Sequence, residues 1–254
     1  MAMYAEMVRS FQSALIVVAH PDDADSLAAG TVAKLTRAGT RVAYCIATNG
    51  EKGSGDRTMT PERLATIRQE EQRQAARVLG VRSVEFLGFP DCEVENTRQA
   101  RLAITAAIRR HRPNLLLVQN PHRTKRLGAS HRDHRIVAQT ALDCVTGLIG
   151  ARLAFPELLA QGLEPHVVEE VRLMVWENPD LLVDISETID LKIAALACHT
   201  SQMPDRVALD RNVRERAAQL CKPCGYSYAE AFIRLPNIAG ADLVPVPEEA
   251  REPG

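Results

Sequence analysis

A histidine and two aspartates stand together near the start of the chain, in the sequence His-Pro-Asp-Asp at positions 20–23. They follow an apolar run, residues 14–19, whose β-branched content predicts a buried parallel strand. Because ligands bind at the carboxyl ends of strands in open α/β sheets, chemistry is expected at this position. Imidazole nitrogen and carboxylate oxygen both bind Zn²⁺, and a catalytic zinc site keeps three protein ligands and one water.

His20 and Asp23 are candidates for two of these metal ligands, which leaves the neighbouring Asp22 free to take a proton. A third ligand is available in a second polar cluster, His-Arg-Asp-His at positions 131–134, which follows the predicted strand 115–118. The histidines of both clusters neighbour aspartates in loops at predicted strand ends. Since such groups are costly in a core and useful in a site, we predict a metal site that joins the two clusters.

The elements that would position these clusters alternate between strand and helix up to about residue 150. Short joins between alternating strands and helices predict a parallel α/β sheet with helices on both faces. The first helix is expected to begin with Asp25 or Ser26 as its cap, and the second with Thr60 and Pro61. The predicted strands cover residues 14–19, 41–48, 84–87 and 115–118.

The alternation of strands and helices changes after Gly150. Partial alternation of polar and apolar residues over 167–176 predicts an antiparallel addition to the sheet. Because we find neither a repeat nor a linker, we interpret residues 1–254 as a single domain with a mobile tail from about residue 245. The other elements predicted in this part are a strand at 181–185 and helices at 186–199 and 206–220.

The composition excludes several classes of protein. Hydrophobic residues make up 46% of the 254-residue chain and the formal net charge is −1, so neither nucleic acid nor a membrane surface is an expected partner. We find no apolar run long enough to predict a membrane span. Residues 1–12 lack the apolar centre of a signal peptide, and we therefore expect a cytoplasmic protein.

Two further motifs have structural as well as functional interpretations. Cys221 and Cys224 have the spacing of a redox pair or of half a zinc site, but no second pair accompanies them. We therefore favour a helix end there, with a disulfide after oxidation as the alternative. The glycine-rich residues 49–55 predict either an ordinary loop or a lid over substrate, and they contain neither a P-loop nor a dinucleotide fingerprint.

Several single polar residues are left without an assigned chemical role by the sequence pattern. Glu71 lies in the apolar stripe of the helix predicted over residues 61–79, where we expect it to meet a partner or to point past the sheet. His111, at a helix end between two arginines, is interpreted as a surface residue. His166 and His199 stay open between structural and functional roles, because a single histidine is more often a satisfied polar residue than a ligand.

The motifs together resemble the LmbE-like (PIG-L) family of zinc de-N-acetylases. His-Pro-Asp-Asp at 20–23, with its flanking sequences VVAH and ADSLAAGT, is similar to the opening motif of that family. Later motifs of the family are similar to four further segments of this chain: TNGEKG at 48–53, RQEE at 68–71, FLGFPD at 86–91 and HRDH at 131–134. The resemblance extends over about residues 14–235 and includes the segment 178–202, which ends in CHTSQ.

The resemblance implies a Rossmann-like fold and one Zn²⁺ per chain, held by His20, Asp23 and His134. It gives Asp22 the role of general base towards a water molecule. The substrates implied are small molecules that carry an N-acetyl group on a glucosamine-like sugar, or related amides in thiol-conjugate and antibiotic pathways. Relatives of this family form hexamers or smaller assemblies, so a homo-oligomer is an expected state.

The resemblance also implies roles for residues around the ligands. His131 would stabilise charge or donate a proton, with Asp133 as the partner that orients it. Arg68 and Asp91 correspond to positions that contact substrate. Some relatives carry a tyrosine at the position of Ala129, so another group in this chain would have to fill that role, or the role is dispensable. The chain also has Ala-Gly at positions 29–30, where many members have two glycines.

Other functions remain open at this point. The first alternative keeps the metal and changes the bond, in an amidase that cleaves a thiol S-conjugate. The second is a non-catalytic metal-binding or sugar-binding protein on the same fold, against which Asp22 argues because metal binding alone needs no spare base. A nucleotide-binding α/β domain is disfavoured because the chain has no glycine fingerprint.

Overall fold

The computed structural model describes residues 11–122, 131–221 and 225–236, together with the backbone of residues 4–5. Its strands are β1 (Tyr4–Ala5), β2 (Ser13–Val18), β3 (Arg41–Thr48), β4 (Ser83–Phe89), β5 (Leu115–Gln119), β6 (Glu170–Met174), β7 (Leu181–Asp184) and β8 (Ala229–Pro236). They form one sheet in the order β1-β7-β8-β6-β5-β2-β3-β4. Among these strands β8 runs antiparallel to its neighbours β6 and β7, and the other pairs are parallel.

Helices cover both faces of this sheet. The helices are α1 (Asp23–Arg37), α2 (Pro61–Leu79), α3 (Arg98–His111), α4 (Arg132–Gly147), α5 (Pro156–Leu159), α6 (Ile189–Leu196) and α7 (Arg206–Leu220). Apolar residues of α1, α2, α6 and α7 pack on one face, and those of α3 and α4 pack on the other. The predicted α/β sheet with helices on both faces and an antiparallel C-terminal addition is confirmed.

The central strand β2 is buried on both of its faces, as its continuous apolar sequence predicts. Leu15 and Val17 belong to the cluster that includes α3 and α4, whereas Ile16 and Val18 belong to the cluster that includes α1 and α2. Strand β2 lies between β5 and β3, both parallel to it. The loops that follow these neighbouring strands therefore meet at one edge of the sheet, which we call the carboxyl edge.

The predicted antiparallel strand over residues 167–176 is wrong in direction, because β6 runs parallel to β5. Its polar residues Glu170 and Arg172 mimic the alternation of a half-exposed strand, but both side chains are buried. They are bonded to each other, with Arg172 Nε 2.7 Å from Glu170 Oε1. The antiparallel strand is β8 instead, which lies between β6 and β7.

The predicted cap of the first helix is also corrected by the structure. Helix α1 begins at Asp23 and its N-cap residue is Asp22, which makes no side-chain capping hydrogen bond. Asp25, one of the predicted caps, is fully buried inside the first turn. The second helix begins as predicted, because the Thr60 hydroxyl accepts the N–H of Arg63 and Pro61 is the first helical residue. No helix within the described residues has the length and apolar character to cross a membrane.

Candidate metal centre and active site

The three predicted metal ligands come together at the carboxyl edge. His20 Nδ1 lies 3.2 Å from His134 Nε2 and 3.3 Å from Asp23 Oδ2. His134 Nε2 lies 3.1 Å from Asp23 Oδ1. Ligand atoms about 2.0 Å from a tetrahedral Zn²⁺ would be separated by about 3.3 Å. The spacing of these donor atoms therefore fits a single metal ion.

Local structure holds these side chains from two separate elements. His20 follows β2 by two residues, and Asp23 is the first residue of α1. The His20 N–H donates to Asp23 Oδ2 at 2.8 Å, which fixes the carboxylate beside the imidazole. His134 lies in the first turn of α4, which begins after the loop that follows β5. The pairing of β2 with β5 thus joins the two clusters, which lie more than 100 residues apart in the chain.

His131 lies beside the same group, although its predicted partner contacts it differently. Its ring centroid is 4.8 Å from that of His20 and 5.3 Å from that of His134. The N–H of Asp133 donates to His131 Nδ1 at 3.2 Å. The Asp133 carboxylate instead accepts the N–H of Cys92 at 2.7 Å and lies 3.5 Å from His20 Nε2. Asp133 therefore orients His131 through its backbone.

Asp91 is placed against a predicted ligand rather than in an open pocket. Its Oδ1 is 3.1 Å from His20 Nε2, and its Oδ2 accepts the N–H of Lys52 at 3.1 Å. A carboxylate on the second nitrogen of a ligating histidine fixes the ring and its tautomer. The geometry therefore gives Asp91 a contact that orients His20, in addition to the substrate contact implied by resemblance.

Arg68 is only 5% exposed, which limits the substrate contact that resemblance implies for it. Its guanidinium donates to the backbone oxygens of Gly50 at 2.9 Å and Pro21 at 2.7 Å, and to Asp22 Oδ2 at 3.1 Å. Gly50 has φ +62°, and a Cβ there would lie 2.2 Å from Arg68 Nη1. Arg68 thus ties the loop that carries Asp22 to the glycine-rich loop.

The backbone of Asp22 is strained. Its φ of 85° lies in the left-handed region, which costs a non-glycine residue about 1–3 kcal/mol and often marks a functional site. The Asp22 N–H donates to Gln72 Oε1 at 2.8 Å, and Arg68 holds one carboxylate oxygen. Burial and the charge of Asp23 raise the pKa of Asp22 to about 6, against the opposing effect of Arg68.

The charge balance of the cluster favours a cation. Burial alone would lower the pKa of His20, but the close carboxylates of Asp133, Asp23 and Asp91 outweigh it and raise that pKa to about 12. Burial would raise the pKa of Asp23, yet His134 and His20 hold it well below its usual range. The carboxylates therefore bind positive charge strongly, and the donor set of imidazole and carboxylate is the set that Zn²⁺ prefers.

The described residues permit more than one set of ligands. The imidazoles of His20, His131 and His134 form one group with the spacing of a metal site. His20 also forms such a group with Asp91 and Asp133. His20 is common to both groups and to the predicted set with Asp23. The described residues thus contain a candidate metal-binding group of histidines and aspartates, centred on His20.

A buried polar network behind Asp22 was not identified from the sequence. Asp25 accepts hydrogen bonds from Gln72 Nε2 at 2.7 Å and Tyr44 Oη at 3.1 Å, and His199 Nε2 lies 2.8 Å from Asp25 Oδ2. Asp25 and His199 are fully buried. The available signal was the CHTSQ segment, in which His199 was left open. Asp25 counteracts burial and raises the pKa of His199.

Glu71 meets hydrogen-bond partners, which is the first of the two arrangements expected for it from the sequence. It accepts the hydroxyl of Thr200 at 2.9 Å, and both the N–H and the hydroxyl of Ser201 at 2.7 Å. Gln202 Nε2 then donates to the backbone oxygen of Gly53 at 3.1 Å. The segment after α6 is therefore fastened both to α2 and to the glycine-rich loop at the carboxyl edge.

Some sequence-based expectations lie outside the described residues. Ala129 and most of the loop that precedes His131 belong to this group, as do Cys224 and the tail from residue 245. Cys221 is buried and is the C-cap of α7, as the favoured interpretation of a helix end predicts, and the alternative of a disulfide with Cys224 is not tested. His166 Nε2 lies 2.8 Å from the backbone oxygen of Pro113, and this contact gives His166 a structural role.

Comparison with known proteins identifies the family of the chain. Residues 15–145 match the PIG-L family, described as GlcNAc-PI de-N-acetylase, and the chain belongs to this family. The diacetylchitobiose deacetylase of Thermococcus kodakarensis is 32% identical over 235 residues, covering 92% of this chain and 86% of the relative. The predicted family is therefore confirmed.

Structural comparison extends the likeness beyond the matched residues. The structure of N,N′-diacetylchitobiose deacetylase from Pyrococcus horikoshii aligns with a TM-score of 0.83 at 29% identity, covering 89% of this chain and 84% of that one. A different activity is also found among the relatives. The 4-oxalmesaconate hydratase of Pseudomonas putida is 29% identical over 221 residues, covering 81% of this chain and 81% of the relative. Deacetylases that act on N-acetylated sugars nevertheless recur among the relatives.

Proposed function

We propose that this protein is a metal-dependent N-deacetylase that removes an acetyl group from a small molecule containing N-acetylglucosamine. The observation that carries the proposal is the convergence of His20, Asp23 and His134, whose donor atoms lie 3.1–3.3 Å apart beside the buried Asp22. Relatives named as deacetylases of diacetylchitobiose and of an acetamido-glucopyranoside support the substrate class.

His20, Asp23 and His134 would hold one Zn²⁺, with imidazole and carboxylate donors that suit this ion. When bound, the ion polarises a carbonyl oxygen and lowers the pKa of a coordinated water towards ~7. Asp91 and Asp133 keep the His20 ring in one orientation through its second nitrogen. The chain's own contribution is thus a fixed set of donors and a matched base.

Asp22 would act as the general base. Its raised pKa, about 6, means that its carboxylate is ionised near neutral pH and yet basic enough to accept a proton. Arg68 holds one of its oxygens, so the other is the oxygen available to a water molecule. After the water molecule attacks the acetamide carbonyl and its proton passes to Asp22, the protonated Asp22 can give that proton to the leaving amine, and acetate is the second product.

His131 would stabilise the negative charge that develops on the carbonyl oxygen. Because its Nδ1 accepts the N–H of Asp133, the neutral ring carries its proton on Nε2. Burial and the neighbouring His20 and His134 lower the pKa of His131. The ring therefore donates a hydrogen bond while neutral, and loss of one such donor costs on the order of 3 kcal/mol in the transition state.

A metal-loaded activity screen tests the proposed function. The zinc-loaded protein is incubated with N,N′-diacetylchitobiose, N-acetylglucosamine derivatives, a cysteinyl thiol conjugate and an unsaturated tricarboxylate. Acetate and free amine from the sugars are expected, with Asp22→Asn as the inactive control. Cleavage of the thiol conjugate alone would favour the amidase, and water addition to the tricarboxylate would favour a hydratase.

A protein that binds metal but turns over none of these compounds would favour the non-catalytic alternative.

The assembly state belongs to the same proposal. We expect a homo-oligomer, and light scattering of the purified protein measures its mass. Neither nucleic acid nor a membrane is part of the proposed function.

A further inference from the structure

The strained Asp22 is supported by a buried network whose members come from four separate elements. Its N–H donates to Gln72 Oε1 at 2.8 Å, and Gln72 Nε2 donates to Asp25 Oδ2 at 2.7 Å. His199 Nε2 reaches the same Asp25 oxygen at 2.8 Å, and Tyr44 Oη donates to the other at 3.1 Å. These side chains are nearly or fully buried, so water does not replace their partners.

We propose that the buried Asp25–His199 pair is a positioning unit, which acts through the Gln72 amide to hold Asp22 in the orientation that the base requires. The proposal rests on the proposed function, because Asp22 is a base only if the chain hydrolyses its substrate. Asp25, Gln72 and His199 touch neither the donor atoms of the metal group nor the carboxylate of Asp22 in any hydrogen bond of the described residues. Their hydrogen bonds therefore reach the carboxylate of Asp22 only through another residue.

The orientation of the Gln72 amide is the step that transmits the effect. An amide has one acceptor end and one donor end. Asp25 accepts from the donor end, so the acceptor end must face the Asp22 N–H. A flipped amide would set two donors against each other at Asp22 and two acceptors against each other at Asp25. The carboxylate of Asp25 therefore excludes the flip and keeps a partner for the strained residue.

His199 completes the unit from a distant part of the chain. It lies 174 residues from Asp25, in a segment outside residues 15–145, the part that matches the family. Its Nδ1 has no hydrogen-bond partner within the described residues, so the ring acts through Asp25. Glu71 anchors the following residues Thr200 and Ser201 on α2, the helix that also carries Gln72. The C-terminal part of the chain thus contributes to the geometry of the base.

Single substitutions test the unit first. Gln72→Met keeps the side-chain volume and removes both hydrogen bonds. We expect kcat to fall about 10–100-fold, as for a small misplacement of a reacting group, with KM within about twofold and an unchanged metal content. Hydrogen–deuterium exchange of the peptide containing Asp22 is expected to accelerate in the same variant, and this readout does not depend on activity.

A paired substitution distinguishes positioning from packing. In Gln72→Glu two carboxylates meet, so this single variant should lose turnover and the slow exchange of the Asp22 peptide. In Asp25→Asn the amide oxygen can still accept from Gln72 Nε2 while its NH2 donates to Tyr44 Oη, so this single variant should stay nearer to the wild type. In the double variant Asp25→Asn/Gln72→Glu, the asparagine donates to the glutamate and to His199 Nε2, while the glutamate still accepts the Asp22 N–H. We expect the double variant to recover to within about threefold of wild-type kcat.

Thr36→Val is the matched control. Thr36 Oγ1 donates to the backbone oxygen of Leu79 at 2.6 Å, joining α1 and α2 at their far ends from the site. The control should lower stability without changing kcat or the exchange of the Asp22 peptide. Wild-type kcat in Gln72→Met, or a double variant no better than Gln72→Glu, would overturn the positioning role. If the wild-type protein releases no acetate, the proposed function fails, whereas the exchange measurements still test the network.

Discussion

Two buried groups of charged residues lie at opposite edges of the same sheet. At the amino end of β6, Glu170 accepts from Arg172 Nε and from Arg234 Nε, each at 2.7 Å. At the carboxyl edge, the carboxylates of Asp23, Asp91 and Asp133 surround His20, Asp22 pairs with Arg68, and Arg132 Nη1 lies 3.4 Å from Asp133 Oδ1. The first group pairs its carboxylate with guanidiniums of the chain, whereas the second gathers more carboxylates than fixed cations.

This difference separates a structural group from a functional one. A buried carboxylate that is paired and hydrogen-bonded has its cost already offset, so the Glu170 group needs no ligand. An excess of carboxylates with imidazoles among them favours a divalent cation. The comparison thus predicts that substitutions at the two edges will have different consequences.

The largest effect is expected from removal of a ligand. His134→Ala should lose the bound metal and with it all measurable turnover, because two remaining donors cannot retain Zn²⁺ tightly. Elemental analysis after dialysis measures the metal, and acetate release measures turnover. The matched control His111→Ala, at the end of α3 beside Glu85, should keep its metal. Full metal content in His134→Ala would mean that another set, such as His20 with Asp91 and Asp133, holds the ion.

The next effect concerns the base alone. Asp22→Asn should lower kcat by about 10²–10⁴-fold, the usual contribution of general base catalysis, while metal content stays near one ion per chain. Steady-state kinetics on the substrate identified by the screen measures the loss. Asp190→Asn, a control on an exposed aspartate bonded to Arg214, should leave kcat unchanged. Turnover near the wild-type value in Asp22→Asn would contradict the assigned base.

The Glu170 group should lose stability rather than turnover. Glu170→Gln removes the carboxylate charge beside the buried guanidinium of Arg172 and should destabilise the protein by about 3–5 kcal/mol. Urea unfolding measures the loss, and kcat per folded, metal-loaded molecule should stay at the wild-type value. The comparison between the two edges would not hold if this substitution lowered kcat while stability was retained.

The smallest effect is a pH dependence of stability in the metal-free protein. The folded-state pKa of Asp22, about 6, lies above its ordinary value of 3.8, so ionising this carboxyl opposes folding. The destabilisation develops as pH rises from about 4 to 6 and is complete above that range, reaching at most about 3 kcal/mol. Asp22→Asn should therefore be more stable than wild type at pH 7 and lose this advantage at pH 4. Unfolding curves that stay equally separated at both pH values would exclude the raised pKa.

Local patterns in the sequence predicted much of the fold. Thr60, Pro61 and Gly80 bound α2 because capping, a fixed φ and a left-handed C-cap act within a few residues. The apolar runs of β2 and β5 likewise predicted buried strands ahead of the two polar clusters. The prediction failed at β6, where the buried Glu170 and Arg172 have the alternation of a half-exposed strand.

The sequence by itself determined the secondary structure around the site and the identity of its candidate ligands, because those depend on contacts between near neighbours in the chain. Only the tertiary structure decided that Arg68 points inward to Asp22 and that His199 pairs with Asp25. Such pairings join residues 46 and 174 positions apart. They depend on the order of the strands and on which helices share a face, and no local pattern encodes either.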